Sequence, residues 1–173
     1  VFTKNHFELG DFGSRIIPEG LIISGEIKNK AALIDFLKTN LSEFNGKEIA
    51  LSLPEEKAFV GMVTLPQMPI ANIHEALELQ LEEHVPLSAH DAIFDYEIIP
   101  SDGTPDHIDV ALVAFPKALV EDYRDVVVAA GFRPLVFEME TQALVRSILP
   151  YKEEGIAMVI DFGRTRTSFA IVS

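Results

Sequence analysis

Apolar side chains recur every three to four residues in several parts of the chain, which is the spacing of helices with one buried face. The pattern predicts helices over residues 30–44, 72–84, 116–130 and 141–149. Between them, short apolar or alternating stretches bounded by proline and glycine predict strands. These strands are expected over residues 49–53, 58–65, 92–99, 108–115, 135–137, 156–160 and 169–172, with weaker patterns at 1–9 and 21–24. The mixture indicates fold class α/β (α+β).

Residues at the ends of these segments refine the prediction. Asn72 is expected to cap the second helix, and Glu75 stands three residues on as a variant of the capping box. Gly131 is expected to end the third helix, because glycine adopts the positive φ of a helix terminus without steric cost. In the strand over 92–99, we expect three apolar side chains to alternate with polar ones, namely Ile93, Tyr96 and Ile98.

Composition excludes several classes of protein. The 173 residues are 48% hydrophobic and 24% charged, as in globular domains, so disordered and collagen-like classes do not fit. The chain has no cysteine, which excludes disulfide scaffolds, thiolate zinc sites and cysteine nucleophiles. No apolar run approaches the ~18 residues that a membrane-spanning helix needs.

The charge is strongly negative and unevenly distributed. The net charge is −13, so the broad basic footprint of a nucleic-acid-binding protein is absent and no nucleic acid partner is expected. Between Lys57 and Lys117 there are ten acidic residues and no lysine or arginine. Two interpretations stay open: a solvated acidic face, or a field that steers a basic partner. For the second, the candidate partner-binding residues are Glu78, Glu82 and Glu83.

Neither a metal site nor a catalytic site is predicted. His74 and Glu78 stand four residues apart on a predicted helix, but no third ligand follows at a suitable spacing, so we expect no metal. No serine, histidine and aspartate occur in an arrangement with a nucleophile-elbow motif, so we expect no catalytic residues.

One short motif has the chemistry of an anion-binding loop. Asp161, Gly163 and Thr167 follow one apolar strand and precede another. Glycine allows the backbone to approach a phosphate, turn amides donate hydrogen bonds, and Thr165 or Thr167 adds a hydroxyl. Asp161 would hold magnesium through water. A tight hairpin turn explains the same residues, and both interpretations stay open.

Eight short segments, taken in order, carry a resemblance to a known family. They are Glu19–Glu26, Ala50–Pro54, Thr64–Pro66, Glu83–Pro86, Phe94–Tyr96, Ala129–Phe132, Glu140–Arg146 and Val159–Gly163. Their order and spacing resemble the PilM family of type IV pilus assembly proteins, in the FtsA-like branch of the actin-like ATPase superfamily. The similarity runs through nearly the whole chain.

The resemblance implies a partial actin-like ATPase fold. Residues 1–46 and 131–155 would form an incomplete first subdomain, and residues 47–130 an inserted strand–helix–strand–strand (SHS2-like) subdomain. Residues 156–173 would begin the second half of the fold. The family's first phosphate loop and its adenosine-binding part have no counterpart here, so we expect a fragment. The hairpin over 156–172 is then expected to be covered by a second copy of the chain or by the first subdomain.

The resemblance also implies a function. It indicates a non-catalytic cytoplasmic scaffold at the inner membrane, which binds the cytoplasmic tail of a PilN-like membrane protein and connects to the pilus motor ATPases. Self-association is left open, and no direct membrane insertion is expected. We expect no cofactor for this chain. In an intact parent protein, ATP with magnesium would be bound by Asp161, Gly163, Thr165 and Thr167.

Three other functions are compatible with the same pattern. A cell-division adaptor of the FtsA type would use its inserted subdomain for filament contacts. A GspL-like component would serve type II secretion instead of pilus assembly. A phosphotransferase of the sugar-kinase branch fits least, because no catalytic aspartate motif of that branch is visible.

Overall fold

The computed structural model describes residues 2–3, 6–7, 12–42, 44, 46–100, 106–149, 155–163 and 166–172. Its strands are β1 (Phe2–Thr3), β2 (His6–Phe7), β3 (Ile22–Ile23), β4 (Glu26–Ile27), β5 (Glu48–Leu53), β6 (Phe59–Pro66), β7 (Ala92–Ile98), β8 (His107–Pro116), β9 (Arg133–Met139), β10 (Ala157–Phe162) and β11 (Thr167–Val172). Its helices are α1 (Lys30–Asn40), α2 (Ile73–His84), α3 (Lys117–Ala129) and α4 (Glu140–Ile148). The α/β (α+β) class is confirmed.

The chain divides into two compact units, each built from two separate stretches. The first unit combines Val1–Ala50 with Asp122–Val136, and the second combines Leu51–Glu121 with Phe137–Ser173. Strands β5 and β9 pair with each other in a two-stranded sheet. Within the described ranges, no helix has the length and apolar character needed to cross a bilayer.

In the first unit, helix α1 begins where the sequence predicts and ends earlier. The side chain of Asn29 accepts a hydrogen bond of 3.0 Å from the backbone of Ala32 and so caps the first turn. The helix ends at Asn40, so its predicted extension to residue 44 was wrong. A polar side chain accompanies the early end, because Ser42 donates to the carbonyl of Thr39. A longer helix would have paired this carbonyl with the N–H of residue 43.

The second unit is organised around a three-stranded antiparallel sheet. Strand β8 lies in the middle, with β6 on one side and β7 on the other. Val63 of β6 is opposite Val110 of β8, and Leu112 of β8 is opposite Tyr96 of β7. Helix α2 covers one face of this sheet. The core between them consists of Val63, Leu65, Ile73, Leu77, Leu81, Val85, Ala92, Val110, Leu112 and Ala114.

Helix α2 begins with a 3-10 turn, not with the predicted capping box. Asn72 stands at the predicted N-cap position, but its side chain makes no capping hydrogen bond, so the predicted capping box was wrong. Asn72 instead ends a short 3-10 turn that begins at Ile70, and its backbone N–H donates to the carbonyl of Pro69 at 2.9 Å. Because the backbone already turns helically at Asn72, with φ −96° and ψ −9°, the extended conformation of a side-chain cap is absent.

Strand β7 shows which side chains face the core. Ala92 is buried and Phe94 and Tyr96 are half-buried, and all three pack toward α2. Ile93 is 42% exposed and lies on the opposite face. The expected alternation of Ile93, Tyr96 and Ile98 with polar residues was therefore wrong for Ile93, because successive side chains of a strand point to opposite faces and Ile93 and Tyr96 are three apart.

Strands β10 and β11 form a two-stranded sheet of their own in the described part of the chain. Val159 on its inner face is 7% exposed, and helix α4 contacts β11. The outer face carries exposed apolar side chains, namely Met158, Ile160, Phe162, Phe169 and Ile171. The sequence-based expectation that a second copy or the first subdomain covers this hairpin stays a prediction.

A small charged cluster surrounds the start of β8. His107 Nδ1 lies 2.8 Å from Asp106 Oδ1, and His107 Nε2 lies 3.4 Å from Asp109 Oδ2. The hydroxyl of Thr64 donates to Asp109 at 2.6 Å. The hydrogen bond with Asp106 and, next, the charge of Asp109 raise the pKa of His107 above its ordinary value of 6.5.

The first prediction concerns the core beneath α2. Leu77 is 1% exposed, whereas Leu79 on the same helix is 80% exposed. We expect Leu77→Ala to lower the free energy of unfolding by about 2–5 kcal/mol, because it removes buried methyl groups and leaves a cavity. Leu79→Ala is the matched control and should change it by less than about 0.5 kcal/mol. Urea unfolding of both variants measures the difference, and equal losses would contradict this packing.

The second prediction concerns His107. Because its folded-state pKa is raised, its protonation stabilises the folded state below the unfolded-state pKa of 6.5, and this contribution is lost as pH rises through the folded-state value. As pH rises between these two pKa values, the free energy of unfolding of wild type should therefore fall relative to that of His107→Gln. An NMR titration of Asp106→Asn should show the His107 pKa moving back toward its ordinary value. If the pKa of His107 stays raised in Asp106→Asn, a group other than Asp106 causes the shift.

Candidate functional site

The second unit contains a groove of about 630 Å³ on the sheet face that α2 leaves uncovered. Its floor consists of side chains at alternate positions of β7 and β8, in opposed pairs along the register. These residues are Ile93, Asp95, Glu97, Ala111, Val113 and Phe115. Since the neighbouring positions of both strands supply the α2 core, the same two strands build the core on one face and the groove on the other.

The other lining residues of the groove form its wall. They come from β5, which precedes β6, α2, β7 and β8 in the sequence, and from α3, β9 and α4, which follow them. Leu53 ends β5, Val120 lies on α3, Met139 ends β9, and all three are buried at 9% exposure or less. Phe137 and Glu138 of β9 and Gln142 of α4 complete the wall. Two phenylalanines, Phe115 of β8 and Phe137 of β9, are among the apolar residues that line the groove.

Two carboxylates on the floor have no cationic partner in the described part of the chain. Asp95 and Glu97 are both exposed and stand two residues apart on the groove face of β7. The Asp95 carboxylate accepts a hydrogen bond of 2.9 Å from the backbone N–H of Tyr96, and the carboxylate of Glu97 lies near no described lysine, arginine or histidine. These side chains therefore give the groove a negative charge that the described residues leave uncompensated.

The third carboxylate of the groove is neutralised. Both oxygens of Glu138 contact the guanidinium of Arg146 at 2.7 Å, and the Glu138 side chain is only 9% exposed. This bond to Glu138 raises the pKa of Arg146 above its ordinary value. Glu138 thus shapes the wall, and the free negative charge is concentrated at Asp95 and Glu97.

The partner-binding residues nominated from the sequence lie elsewhere. Glu78, Glu82 and Glu83 are exposed on α2, which covers the opposite face of the sheet from the groove. The structure therefore presents two acidic surfaces, one on each side of the same sheet. Whether a partner binds Glu78, Glu82 and Glu83 stays a prediction.

His74 stands on the α2 side of the sheet, where the sequence suggested a weak metal pair with Glu78. Its imidazole stacks on the ring of Phe94, with centroids 4.8 Å apart and 13° between the planes. Tyr96 lies further along, at 6.3 Å. Within the described residues, no group of three potential ligands is close enough to hold a metal ion.

The candidate phosphate loop joins β10 to β11. Asp161 is exposed and stands opposite Ser168, and Thr167 is exposed opposite Phe162. Gly163 lies in the connecting turn. Thr165 lies outside the described residues. The structure thus places three of the four nominated residues at one end of this hairpin.

A small void lies beside Asp161. The void beside it has a volume of about 10 Å³, enough for one water molecule. Glu55 and Glu140 line this void with Asp161, so carboxylates surround it. Arg166 is bound by Glu56 and Glu140. The nucleotide site accordingly stays a prediction about a longer parent protein.

Sequence reasoning missed Asp95 and Glu97 as site residues, although it counted both among the ten acids. The signal was the alternation of β7, in which Ile93, Asp95 and Glu97 share one face. Phe137 was predicted only as part of a strand over 135–137, and its position on the groove wall became visible only with the fold. No local pattern connects Phe137 with Asp95, because they are 42 residues apart in the sequence.

The arrangement defines the class of protein. A helix and three-stranded sheet inserted between β5 and β9, in a chain of mixed strands and helices, match proteins built on the actin-like ATPase fold. A family model described as type IV pilus assembly protein PilM matches residues 2–173, and the chain belongs to that family. The resemblance stated from the sequence is confirmed. No curated protein matches the chain.

Two solved structures show the same fold at low sequence identity. The PilM–PilN type IV pilus biogenesis complex matches with a TM-score of 0.80 and 21% identity, covering 92% of this chain and 50% of that chain. The cytoplasmic domain of EpsL, an inner-membrane component of the type II secretion system of Vibrio cholerae, matches with a TM-score of 0.55 and 15% identity, covering 86% and 59%. The chain spans about half the length of the first of these proteins.

The third prediction concerns the turn at Gly163. A Cβ atom there would lie 2.9 Å from the carbonyl oxygen of Arg166, whereas one at Gly61 would meet nothing within 4 Å. We expect Gly163→Ala to destabilise the hairpin by about 1–3 kcal/mol, because backbone must shift to admit the methyl group. Gly61→Ala, also in the second unit, should leave the free energy of unfolding unchanged or raise it slightly. Hydrogen exchange of β10 and β11 measures the effect, and unchanged protection in Gly163→Ala would contradict the tight turn.

Proposed function

We propose that this chain is part of a non-catalytic scaffold of type IV pilus assembly, and that its groove binds the cytoplasmic tail of a PilN-like inner-membrane protein. The observation that carries the proposal is the pair of uncompensated carboxylates, Asp95 and Glu97, on the floor of an apolar groove. The name of the structurally similar PilM–PilN complex supports the choice of partner. In this proposal the scaffold stands at the cytoplasmic side of the inner membrane, held there by its partner.

The chemistry of such a tail complements the groove. Cytoplasmic segments next to membrane helices carry an excess of lysine and arginine. A basic residue would pair with Asp95 or Glu97, and an apolar residue would bury itself between Phe115 and Phe137. The ten acids between Lys57 and Lys117 would also attract the tail from a distance and raise its association rate.

Further roles belong to a longer parent protein. We propose that the parent connects the tail to the pilus motor ATPases, and that the loop containing Asp161 contributes to binding of ATP with magnesium there. The resemblance to the family supports both roles. Self-association is a separate proposal, for which the exposed outer face of β10 and β11 offers a surface.

A second candidate is a component of type II secretion, and the structural match to the cytoplasmic domain of EpsL favours it. The same groove would then take the tail of a secretion protein. The family match over residues 2–173 supports pilus assembly as the first choice. Titrating tail peptides from both systems compares the two directly, and preference for the secretion peptide would support the second candidate.

The fourth prediction compares the two acidic surfaces. A synthetic peptide with the sequence of a PilN-like cytoplasmic tail is titrated by calorimetry against wild type, Asp95→Lys/Glu97→Lys and Glu78→Lys/Glu82→Lys. Both variants change the net charge equally, so any difference reports where the peptide binds. We expect the groove variant to lose affinity by about tenfold or more, and the helix variant by about twofold. Affinity should also fall as salt rises beyond ~0.1 M.

Other outcomes have distinct meanings. A larger loss in the helix variant would assign the tail to the surface containing Glu78, Glu82 and Glu83. Equal losses in both variants would indicate binding by the general field and would contradict the groove. Failure of wild type to bind any tail peptide would overturn the proposed function.

A further inference from the structure

We propose that the tail binds as an added β-strand along the open edge of β7, within the groove. This inference rests on the proposed function and specifies its binding mode: an extended backbone makes main-chain hydrogen bonds to Phe94 and Tyr96. Its side chains alternate, and those on the groove face meet Asp95 and Glu97. Strand addition of this kind gives affinity through the backbone and specificity through alternate side chains.

The hydrogen-bond register shows which residues of β7 face its open edge. The backbone N–H of Ile99 donates to the carbonyl of Asp109 at 2.8 Å, and that of Lys117 donates to the carbonyl of Asp91 at 2.8 Å. These bonds bracket a continuous antiparallel register between β7 and β8. Because hydrogen-bonded pairs alternate in such a ladder, odd-numbered positions of β7 bond to β8. The backbone groups of Phe94 and Tyr96 therefore point away from β8.

Strand β7 is at the edge of the sheet among the described residues, so these outward groups have no neighbouring strand. Phe94 and Tyr96 nevertheless line the groove. The rings of both residues are on the α2 side, near His74, so we infer that these residues line the groove with their backbone. The groove thus contains unpaired strand edge beside apolar and acidic side chains.

The contact of Asp95 supports the same orientation. Its carboxylate accepts the hydrogen bond of the Tyr96 N–H, in the place that the carbonyl of an added strand would take. Such a carboxylate protects an exposed edge from unspecific pairing. When a peptide carbonyl replaces it, the Asp95 carboxylate is released and pairs with a basic side chain of the peptide. One residue thereby links backbone pairing to the selection of positive charge.

The dimensions are compatible with a short strand. Neighbouring strands lie about 4.8 Å apart, and an extended chain advances about 3.3 Å per residue, so side chains two residues apart are spaced like Asp95 and Glu97. We therefore expect a tail with basic or polar residues at every second position to bind more tightly than one with the same composition in another order.

The test uses the same tail peptide with single backbone N-methyl groups, introduced one position at a time. An N-methyl group removes one donor and blocks close approach of a strand. In strand addition, methylation should reduce affinity by about tenfold or more at every second residue and by much less at the residues between. Calorimetry with wild-type protein measures each peptide.

Hydrogen exchange of the protein provides the second measurement. Saturating unmodified peptide should slow exchange of the Phe94 and Tyr96 amides. The matched control is the far edge of the sheet, where the Val60 and Met62 amides point outward from β6 by the same register and lie outside the groove. Their exchange should not change.

The outcomes separate the two proposals. Alternating sensitivity together with protection of Phe94 and Tyr96 supports strand addition. Tight binding of unmodified peptide without alternation, or without protection at these amides, overturns strand addition and leaves the proposed function in place. No binding of the unmodified peptide overturns both.

Discussion

The central position of β8 is the constraint on which the rest of the second unit depends. A strand that is hydrogen-bonded on both sides cannot shift its register by one residue without exchanging all its buried and exposed side chains. Val110, Leu112 and Ala114 are therefore committed to the core beneath α2, and Ala111, Val113 and Phe115 to the other face. The groove floor follows directly from the packing of the core.

This coupling explains how a stable sheet presents an apolar surface. The helix-covered face supplies the buried area that holds the strands together, so the other face is free to carry side chains suited to a partner. This face carries the apolar Ile93, Val113 and Phe115 together with the charged Asp95 and Glu97. Such charges limit unspecific association while an edge strand remains open.

The acidic residues of this protein differ in whether a cationic side chain pairs with them. Glu138 is bound by Arg146, and Glu56 and Glu140 share Arg166, so these carboxylates join segments of the second unit. Asp95 and Glu97 make no such bond in the described part of the chain. A chain with a net charge of −13 therefore has local sites of very different electrostatic character. The chain belongs to the family described as type IV pilus assembly protein PilM, and it has the same fold as the PilM–PilN complex at 21% identity.

The sequence by itself determined the kinds and approximate limits of the helices and strands, the family, and the excess of acid between Lys57 and Lys117. These properties arise from local spacing and composition, as in α2, where Ile73, Leu77 and Leu81 recur at helical intervals. Only the tertiary structure decided that a 3-10 turn precedes α2 without a side-chain cap from Asn72, and that Phe94 and Tyr96 of β7 pack toward α2 while Ile93 and Asp95 line the groove. It also brought Phe137 to face the sheet across the groove, because contacts between residues far apart in the chain depend on strand order and register, which no local pattern encodes.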